Sequence, residues 1–118
     1  MPNPQFRDCT VIALRGNQLW AEGAHGHILR AWRSDQPGVR HGASIRVYCD
    51  EGSEIYGWHD PESGQAVDQR GFDGRAGAEA SSLRCRGGCG IAWQAPSRGA
   101  VLEAQRGCLQ CGGTLEAA

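Results

Sequence analysis

Four cysteines near the C-terminal end of the sequence constrain what this chain can fold into more than any other feature. Three residues separate Cys85 from Cys89, two separate Cys108 from Cys111, and eighteen lie between the two pairs. Two closely spaced thiol pairs joined by a loop of this length can converge on one tetrahedral ion. Because four thiolates leave no open position for water, the pattern predicts one structural zinc ion and no catalytic metal.

Glycine follows the second cysteine of each pair, at Gly90 and Gly112. A tight turn that directs backbone N–H groups toward the sulfurs requires a positive φ, which glycine adopts without strain. Two disulfides or four unrelated thiols are the alternatives, and an iron centre of rubredoxin type is another, since four sulfurs do not exclude iron. Zinc is preferred because clustered cysteines in a reducing compartment more often bind metal than form disulfides.

The segment 84–118 resembles a zinc ribbon, in which two cysteine knuckles cap a small three-stranded sheet. The resemblance implies β structure in the apolar stretches 91–93, 101–102 and 114–115. The first knuckle departs from the usual pattern by one additional residue. Two of its three intervening residues are Gly87 and Gly88, which make the longer turn physically easy.

The N-terminal half is predicted to be all-β. Short apolar or alternating segments, separated by turn residues such as Gly16-Asn17, indicate five strands, at 9–15, 18–22, 27–33, 43–49 and 54–58. Five short strands in so few residues favour a small closed barrel, of OB-like or alternatively SH3-like type, because closure removes the edges of a small sheet. This barrel is assigned to residues 1–60.

The same half resembles the OB-fold domain of NfeD-type proteins. The resemblance rests on Gly16, on the run Leu19-Trp20-Ala21, on Val39 and Gly42, and on Ile45 and Val47 before Gly52. In that family a hairpin with Gly and Trp-x-Ala precedes Gly-x-x-Val-x-Val and a glycine turn, whereas here alanine follows the tryptophan directly. The resemblance implies an OB-like barrel without the membrane segments of that family.

Residues 61–83 are predicted to be a flexible linker, since their polar composition cannot bury enough apolar area to offset the entropy of ordering. Phe72 is the exception. It is either a docking residue or an unattached aromatic. The whole chain is therefore expected to be a barrel, a linker and a ribbon.

The sequence predicts a cytoplasmic protein. Its N-terminal residues lack the apolar core of a signal peptide. No stretch approaches the roughly 20 apolar residues that cross a bilayer. No nucleophile–base pair, phosphate-binding loop or paired-carboxylate motif is present, so no enzymatic activity and no small-molecule substrate are expected.

Aromatic and arginine side chains alternate in the N-terminal half, and all twelve basic residues of the chain are arginine. On an OB-type barrel, exposed rings stack on bases while arginines contact phosphates. The interpretation is a non-enzymatic accessory protein that binds nucleic acid, preferring single-stranded DNA or RNA. The candidate contact residues are Trp20, Arg46, Tyr48, Arg84, Arg86, Arg98 and Arg106.

The alternative is an adaptor that docks on a larger protein complex without nucleic-acid contact. A net charge of −1 favours this alternative, because nucleic-acid binders are usually basic. The pairing of barrel and ribbon resembles exosome cap subunits and transcription or replication accessory proteins. That resemblance is one of fold, and a fold alone does not fix function.

Two further groups of residues were weighed for function. Cys9 and Cys49 are expected to be buried core residues on neighbouring strands, with a disulfide or a ligand role as the alternative. The histidines at 25, 27, 41 and 59 are expected to be solvated turn residues, although His25 and His27 would suit a metal or a phosphate.

Overall fold

The structure is a computed structural model that describes residues 5–33, 38–50, 54–72 and 81–117. Nine strands and one helix follow in chain order: β1 Gln5–Arg15, β2 Gln18–Glu22, β3 Ile28–Trp32, β4 Ser44–Cys49, β5 Ile55–His59, β6 Ala66–Asp68, β7 Ser81–Cys85, β8 Ala92–Ala95, α1 Arg98–Ala104 and β9 Leu115–Ala117. A single 3₁₀ turn, Ala24–Gly26, lies between β2 and β3. The protein is mostly β, in agreement with the predicted class.

All nine strands belong to one sheet, in the order β3-β2-β1-β4-β5-β6-β8-β7-β9. β1 is long enough to pair with two partners, β4 along its first half and β2 along its second. Every pairing is antiparallel except the one between β6 and β8, which rests on Val67 opposite Gln94. That short parallel bridge joins the N-terminal strands to the C-terminal ones.

A first core is enclosed by β1 to β6. Alternate residues of each strand point inward, as the two-residue period of a strand requires. The buried apolar side chains are Cys9, Val11, Leu19, Ala21, Leu29, Ala31, Val39, Ile45, Val47, Trp58 and Val67. The indole N–H of Trp58 on β5 donates to the carbonyl of Trp32 on β3 over 2.6 Å, so these two strands approach each other across the core.

The segment predicted to be a linker is partly ordered within the sheet. Residues 66–68 form β6 and are buried. The polar residues around them are the reason that the sequence did not predict this strand. Phe72 is half-buried and lies edge-on to Trp32, with ring centroids 5.8 Å apart. Of its two predicted roles, the docking role is the one observed. Residues 73–80 lie outside the described part of the chain.

A helix occupies the place of one predicted strand. Residues 101–102, expected to be β, belong to α1, whose first turn is capped by Ser97: its hydroxyl oxygen accepts from the N–H of Ala100 at 3.2 Å. Ser97 is a favoured N-cap residue because its side chain satisfies an N–H that has no partner inside the helix. No helix in the described residues is long and apolar enough to cross a membrane.

A second core joins the C-terminal strands to the outer face of β4 and β5. Trp93, Leu83, Leu109 and Leu115 are buried in it together with Tyr48. Gly57 on β5 makes this contact possible. A Cβ atom there would lie 2.7 Å from Cδ1 of Leu109 and 2.3 Å from the carbonyl oxygen of Val67. The two halves are therefore packed against each other through the residues around the cysteines.

Candidate metal centre and nucleic-acid surface

The four cysteines predicted to bind metal come together at one end of the C-terminal strands. Cys85 ends β7 and Cys89 precedes β8, while Cys108 and Cys111 lie between α1 and β9. Their sulfur atoms all lie within 4.8 Å of one another. Two of the separations are 3.4 Å between Cys85 and Cys111 and 3.6 Å between Cys89 and Cys108. The cluster is tetrahedral-like and can hold a metal ion.

Backbone N–H groups of the two turns point at the sulfurs. Gly87 donates to Sγ of Cys85 at 3.3 Å, and Gly113 donates to Sγ of Cys111 at 3.4 Å. Gly90 and Gly112 have φ values of 69° and 76°, as the sequence predicted. The N–H of Gly87 favours the thiolate form of Cys85 over the thiol, because a hydrogen bond to the charged form stabilises it.

The two knuckles touch through glycine. A Cβ atom built on Gly113 would lie 2.5 Å from Cα of Gly87, and one built on Gly87 would lie 2.6 Å from Cα of Gly113. No side chain fits between backbones at that distance. The contact therefore explains why glycine is needed at both positions, and it brings Cys85 and Cys111 together.

Burial and hydrogen bonding act on the cysteine pKa values in opposite directions. For Cys85, burial raises the pKa. The hydrogen bonds from the N–H of Gly87 and from the neighbouring thiols together outweigh burial and lower the pKa to about 7. For Cys89 and Cys108, burial prevails and the pKa is raised, although backbone N–H groups oppose it.

Trp93 connects the cluster to the second core. Its indole N–H donates to Sγ of Cys108 at 3.3 Å, and its side chain is fully buried. The ring lies edge-on to Tyr48 at 5.6 Å and tilted toward His59 at 6.3 Å. Trp93 thus contacts the cysteine cluster and also packs against the N-terminal half.

Tyr48 and Arg46 were predicted to form an exposed surface for nucleic acid, and for Tyr48 this is wrong. Its ring is only 1% exposed, and its hydroxyl donates to Oε1 of Gln110, between Cys108 and Cys111. Arg46 donates to the same oxygen at 3.3 Å. Strand parity placed both side chains on the outer face of β4, but the second knuckle covers that face. Burial raises the pKa of Tyr48 to about 12, and nearby Arg46 opposes this shift.

A buried ion pair forms a second contact between the halves. Arg70 binds the carboxylate of Asp68 with two N–H groups, at 2.6 and 3.1 Å, and also donates to the carbonyl of Gly107 at 2.6 Å. Asp68 is completely buried. Burial raises the pKa of Asp68 above its usual range, and the guanidinium of Arg70 counteracts this shift. Since Gly107 precedes Cys108, this pair holds the start of the second knuckle against β6.

The remaining predicted nucleic-acid residues are scattered. Trp20 is half-buried on the outer face of β2, directly opposite Arg30 of β3. Arg84 and Arg98 are exposed on β7 and at the start of α1. Arg86 pairs with Glu116 at 2.9 Å and Arg106 pairs with Glu103 at 3.1 Å. The structure does not gather these seven residues into one surface.

Three residues that matter at the cluster were missed by sequence reasoning: Trp93, Gln110 and Arg70. Trp93 was predicted only to belong to a strand. Gln110 is one of the two residues between Cys108 and Cys111, and Arg70 lies in the segment predicted to be a linker. Their roles depend on contacts distant in sequence. The one available signal was the presence of tryptophan four residues after a cysteine, which is too common to be specific.

The two remaining cysteines are buried, and three of the four histidines are exposed. Cys9 and Cys49 are buried, unpaired in a disulfide, and lie on the neighbouring strands β1 and β4, as predicted. Burial raises the pKa of both thiols, and the charges of the surrounding residues modify this effect. His25, His27 and His41 are exposed, but His59 is half-buried on β5 beside Trp93, so it is no solvated turn residue.

Comparison of the chain with protein-family models, with curated proteins and with solved structures finds no match. The chemistry of the cysteine cluster and the surfaces of the sheet are therefore the basis for a functional proposal.

Proposed function

We propose that Cys85, Cys89, Cys108 and Cys111 bind one zinc ion. A tetrahedral ion with Zn–S bonds of about 2.3 Å requires sulfurs about 3.8 Å apart. Three separations in the cluster, 3.4, 3.6 and 3.7 Å, are close to that value. Four thiolates fill the coordination shell, so the ion would be structural and would supply folding free energy to this small region.

Elemental analysis of the purified protein tests the metal. One zinc per chain is expected. One iron per chain would instead support an iron centre of rubredoxin type. Cys108→Ser should lose the ion, and Cys9→Ser is the matched control, because Cys9 is equally buried but lies outside the cluster. Full metal retention in Cys108→Ser would mean that the ligand set is wrong.

Strand pairings support the two proposed modules. In an OB-like barrel, the first strand pairs with both the second and the fourth, and the third approaches the fifth; here β1 pairs with β2 and β4, and Trp58 of β5 donates to Trp32 of β3. In a zinc ribbon, three antiparallel strands lie below two knuckles, as β8, β7 and β9 do. The modules would have the predicted ranges 1–60 and 84–118, with β6 added to the first and the start of β7 added to the second.

The outer face of β2 and β3 is the best candidate for a ligand surface, because the C-terminal half covers the outer face of β4 and β5. On β2 and β3, Trp20 stands opposite Arg30, and the neighbouring Ile28 is 58% exposed. A ring beside a guanidinium can stack on a base and contact its phosphate. The chain is accordingly proposed to be a non-enzymatic accessory protein that binds single-stranded DNA or RNA there.

Fluorescence anisotropy with labelled single-stranded oligonucleotides, at low and high salt, tests this proposal. Trp20→Ala should weaken binding by about 1–3 kcal/mol, the usual contribution of one stacked base. Arg30→Ala should weaken it and flatten its salt dependence. Tyr48→Phe is the matched control, because the buried ring of Tyr48 cannot reach a ligand. Absence of salt-dependent binding at micromolar protein would reject nucleic acid as the partner.

A protein-docking adaptor is the second candidate function. It is favoured by the net charge of −1 and by exposed apolar side chains at Ile28 and Leu102, each 58% exposed. A pull-down from nuclease-treated native lysate with the unaltered chain tests it, and Leu102→Glu is expected to lose the partner. Recovery of no partner by the unaltered chain would reject the adaptor.

A further inference from the structure

The four cluster cysteines differ in their access to solvent. Cys85 and Cys108 are each 3% exposed, Cys89 is half-buried, and Cys111 is exposed. Susceptibility of a thiolate to oxidants follows its accessibility together with its charge state. Among the four, Cys111 is therefore the sulfur that a dissolved oxidant reaches first.

A second thiol is already in place beside it. The sulfur of Cys85 lies 3.4 Å from that of Cys111, against 3.7 Å between Cys111 and Cys89. The Gly87–Gly113 contact holds the two turns together at this point. An oxidised Cys111 would thus meet a resolving thiolate without a large movement of the backbone.

We propose that Cys111 is an oxidation site for hydroperoxides and that Cys85 resolves it. This inference rests on the four cysteines holding an ion, as proposed above. The thiolate of Cys111 attacks the terminal oxygen of the hydroperoxide, the O–O bond breaks, and a sulfenic acid forms while hydroxide leaves from hydrogen peroxide or an alkoxide leaves from an organic hydroperoxide. The thiolate of Cys85 then attacks the sulfenic sulfur, forms the Cys85–Cys111 disulfide and expels hydroxide. The two thiolates lose two electrons, the peroxide gains them, and the zinc leaves as Zn²⁺.

The reaction would be transmitted to the N-terminal half. Gln110 is adjacent to Cys111 and accepts from both Tyr48 and Arg46. Trp93 donates to Cys108, which loses its ion in the same event. Oxidation is therefore expected to loosen the contact between the second knuckle and the outer face of β4.

The test uses the zinc-loaded full chain and hydrogen peroxide, with a colorimetric chelator to follow release. Loss of one zinc per chain is expected, with the Cys85–Cys111 disulfide found by mass spectrometry of a non-reduced digest. Reduction by dithiothreitol with added zinc should restore the starting spectrum. A loss of near-ultraviolet circular dichroism on oxidation would show that the contact of Tyr48 and Trp93 has loosened.

Two matched variants and one labelling experiment distinguish the role of Cys111 from that of the other cluster cysteines. Cys111→His and Cys89→His each exchange one thiolate for a zinc-binding imidazole, but only the first removes the exposed sulfur. Cys111→His should keep its zinc in peroxide, whereas Cys89→His should lose it at the rate of the unaltered chain. Brief alkylation of the unaltered, zinc-loaded chain is a second measurement that does not depend on the folding of either variant. It should label Cys111 before any other cysteine.

The failures are distinguishable. A native protein without metal would reject the zinc proposal itself. A protein with one zinc that peroxide does not release, or that forms a different disulfide, or that is alkylated first at another cysteine, would overturn this inference and leave the zinc proposal standing.

Discussion

The indole N–H of Trp93 donates to the sulfur of Cys108 at 3.3 Å, although the tryptophan lies on β8 and the cysteine follows α1. The ring of Trp93 is fully buried and also touches Tyr48 of the N-terminal half. One side chain thus supports a candidate metal ligand and fills the core between the two halves. The candidate metal centre and the packing of the sheet are therefore physically linked.

The first prediction concerns that bond. Trp93→Phe keeps most of the ring but removes the N–H, and it should weaken zinc binding by about 10-fold or more, as is usual when a group supporting a metal ligand is lost. Competition with a chelator of known affinity measures this. Trp58→Phe is the matched control, because it also loses a buried indole hydrogen bond, to the carbonyl of Trp32, far from the cluster. Equal zinc affinity in both variants would contradict the role of Trp93.

The second prediction concerns Gly57. A methyl group there would meet the backbone of Val67 and the side chain of Leu109, so Gly57→Ala should destabilise the protein by about 1–3 kcal/mol or more through overpacking. Urea unfolding of the zinc-loaded protein measures this. Gly64→Ala is the control: its Cβ would meet nothing within 4 Å, and only its φ of 77° opposes the substitution. A loss no larger than that of Gly64→Ala would mean that Val67 and Leu109 do not pack closely on Gly57.

The third prediction concerns the ion pair of Asp68 and Arg70. Arg70→Ala leaves a completely buried carboxylate without its partner and should cost about 3–5 kcal/mol. Arg86→Ala breaks an exposed pair with Glu116 and should cost less than about 1 kcal/mol. Chemical unfolding curves of the two variants make the comparison. The double variant Asp68→Asn/Arg70→Met should recover part of the loss, since no buried charge remains.

The fourth prediction concerns pH. Burial lowers the pKa of His59, nearby Asp60 raises it and Arg46 lowers it again, with burial prevailing. The folded protein therefore binds a proton at His59 less readily than the unfolded chain does. The free energy of unfolding contributed by this group is constant above about pH 6.5, the ordinary histidine pKa, and falls as the pH drops below it.

Thermal unfolding at pH 7.5 and pH 6.0 checks the sign. His59→Gln should lose less stability between these two values than the unaltered chain, while the exposed His41→Gln should behave as the unaltered chain does. Loss of metal at low pH affects all three proteins alike, so the difference between variants isolates His59. A larger loss in His59→Gln would contradict a neutral, buried imidazole.

Much of the local structure was predictable from the sequence. All five strands proposed between residues 9 and 59 are present, with the Gly16-Asn17 turn between the first two. The four cysteines are clustered as their spacing predicted, and both glycines that follow them have positive φ. These features depend on side-chain alternation and on conformations of single residues, which neighbours in sequence determine.

Two of the errors share one physical origin, and the third is local. Tyr48 was expected to be exposed because it alternates with Val47, and residues 66–68 were expected to be unstructured because polar residues surround them. Both are buried, since residues more than twenty positions away cover them. The strand at 101–102 was wrong because Ser97 caps a helix there. Local patterns describe which face a residue occupies but not whether another segment lies on that face.

The sequence by itself determined that this chain is mostly β and that four cysteines converge, because alternation and cysteine spacing are properties of short segments. Only the tertiary structure decided what surrounds that cluster. Gln110, Trp93 and Arg70 each bridge the two halves through hydrogen-bonded or packed contacts. Such contacts form only after the chain has brought distant residues together, and the same packing determines which sulfur remains open to solvent.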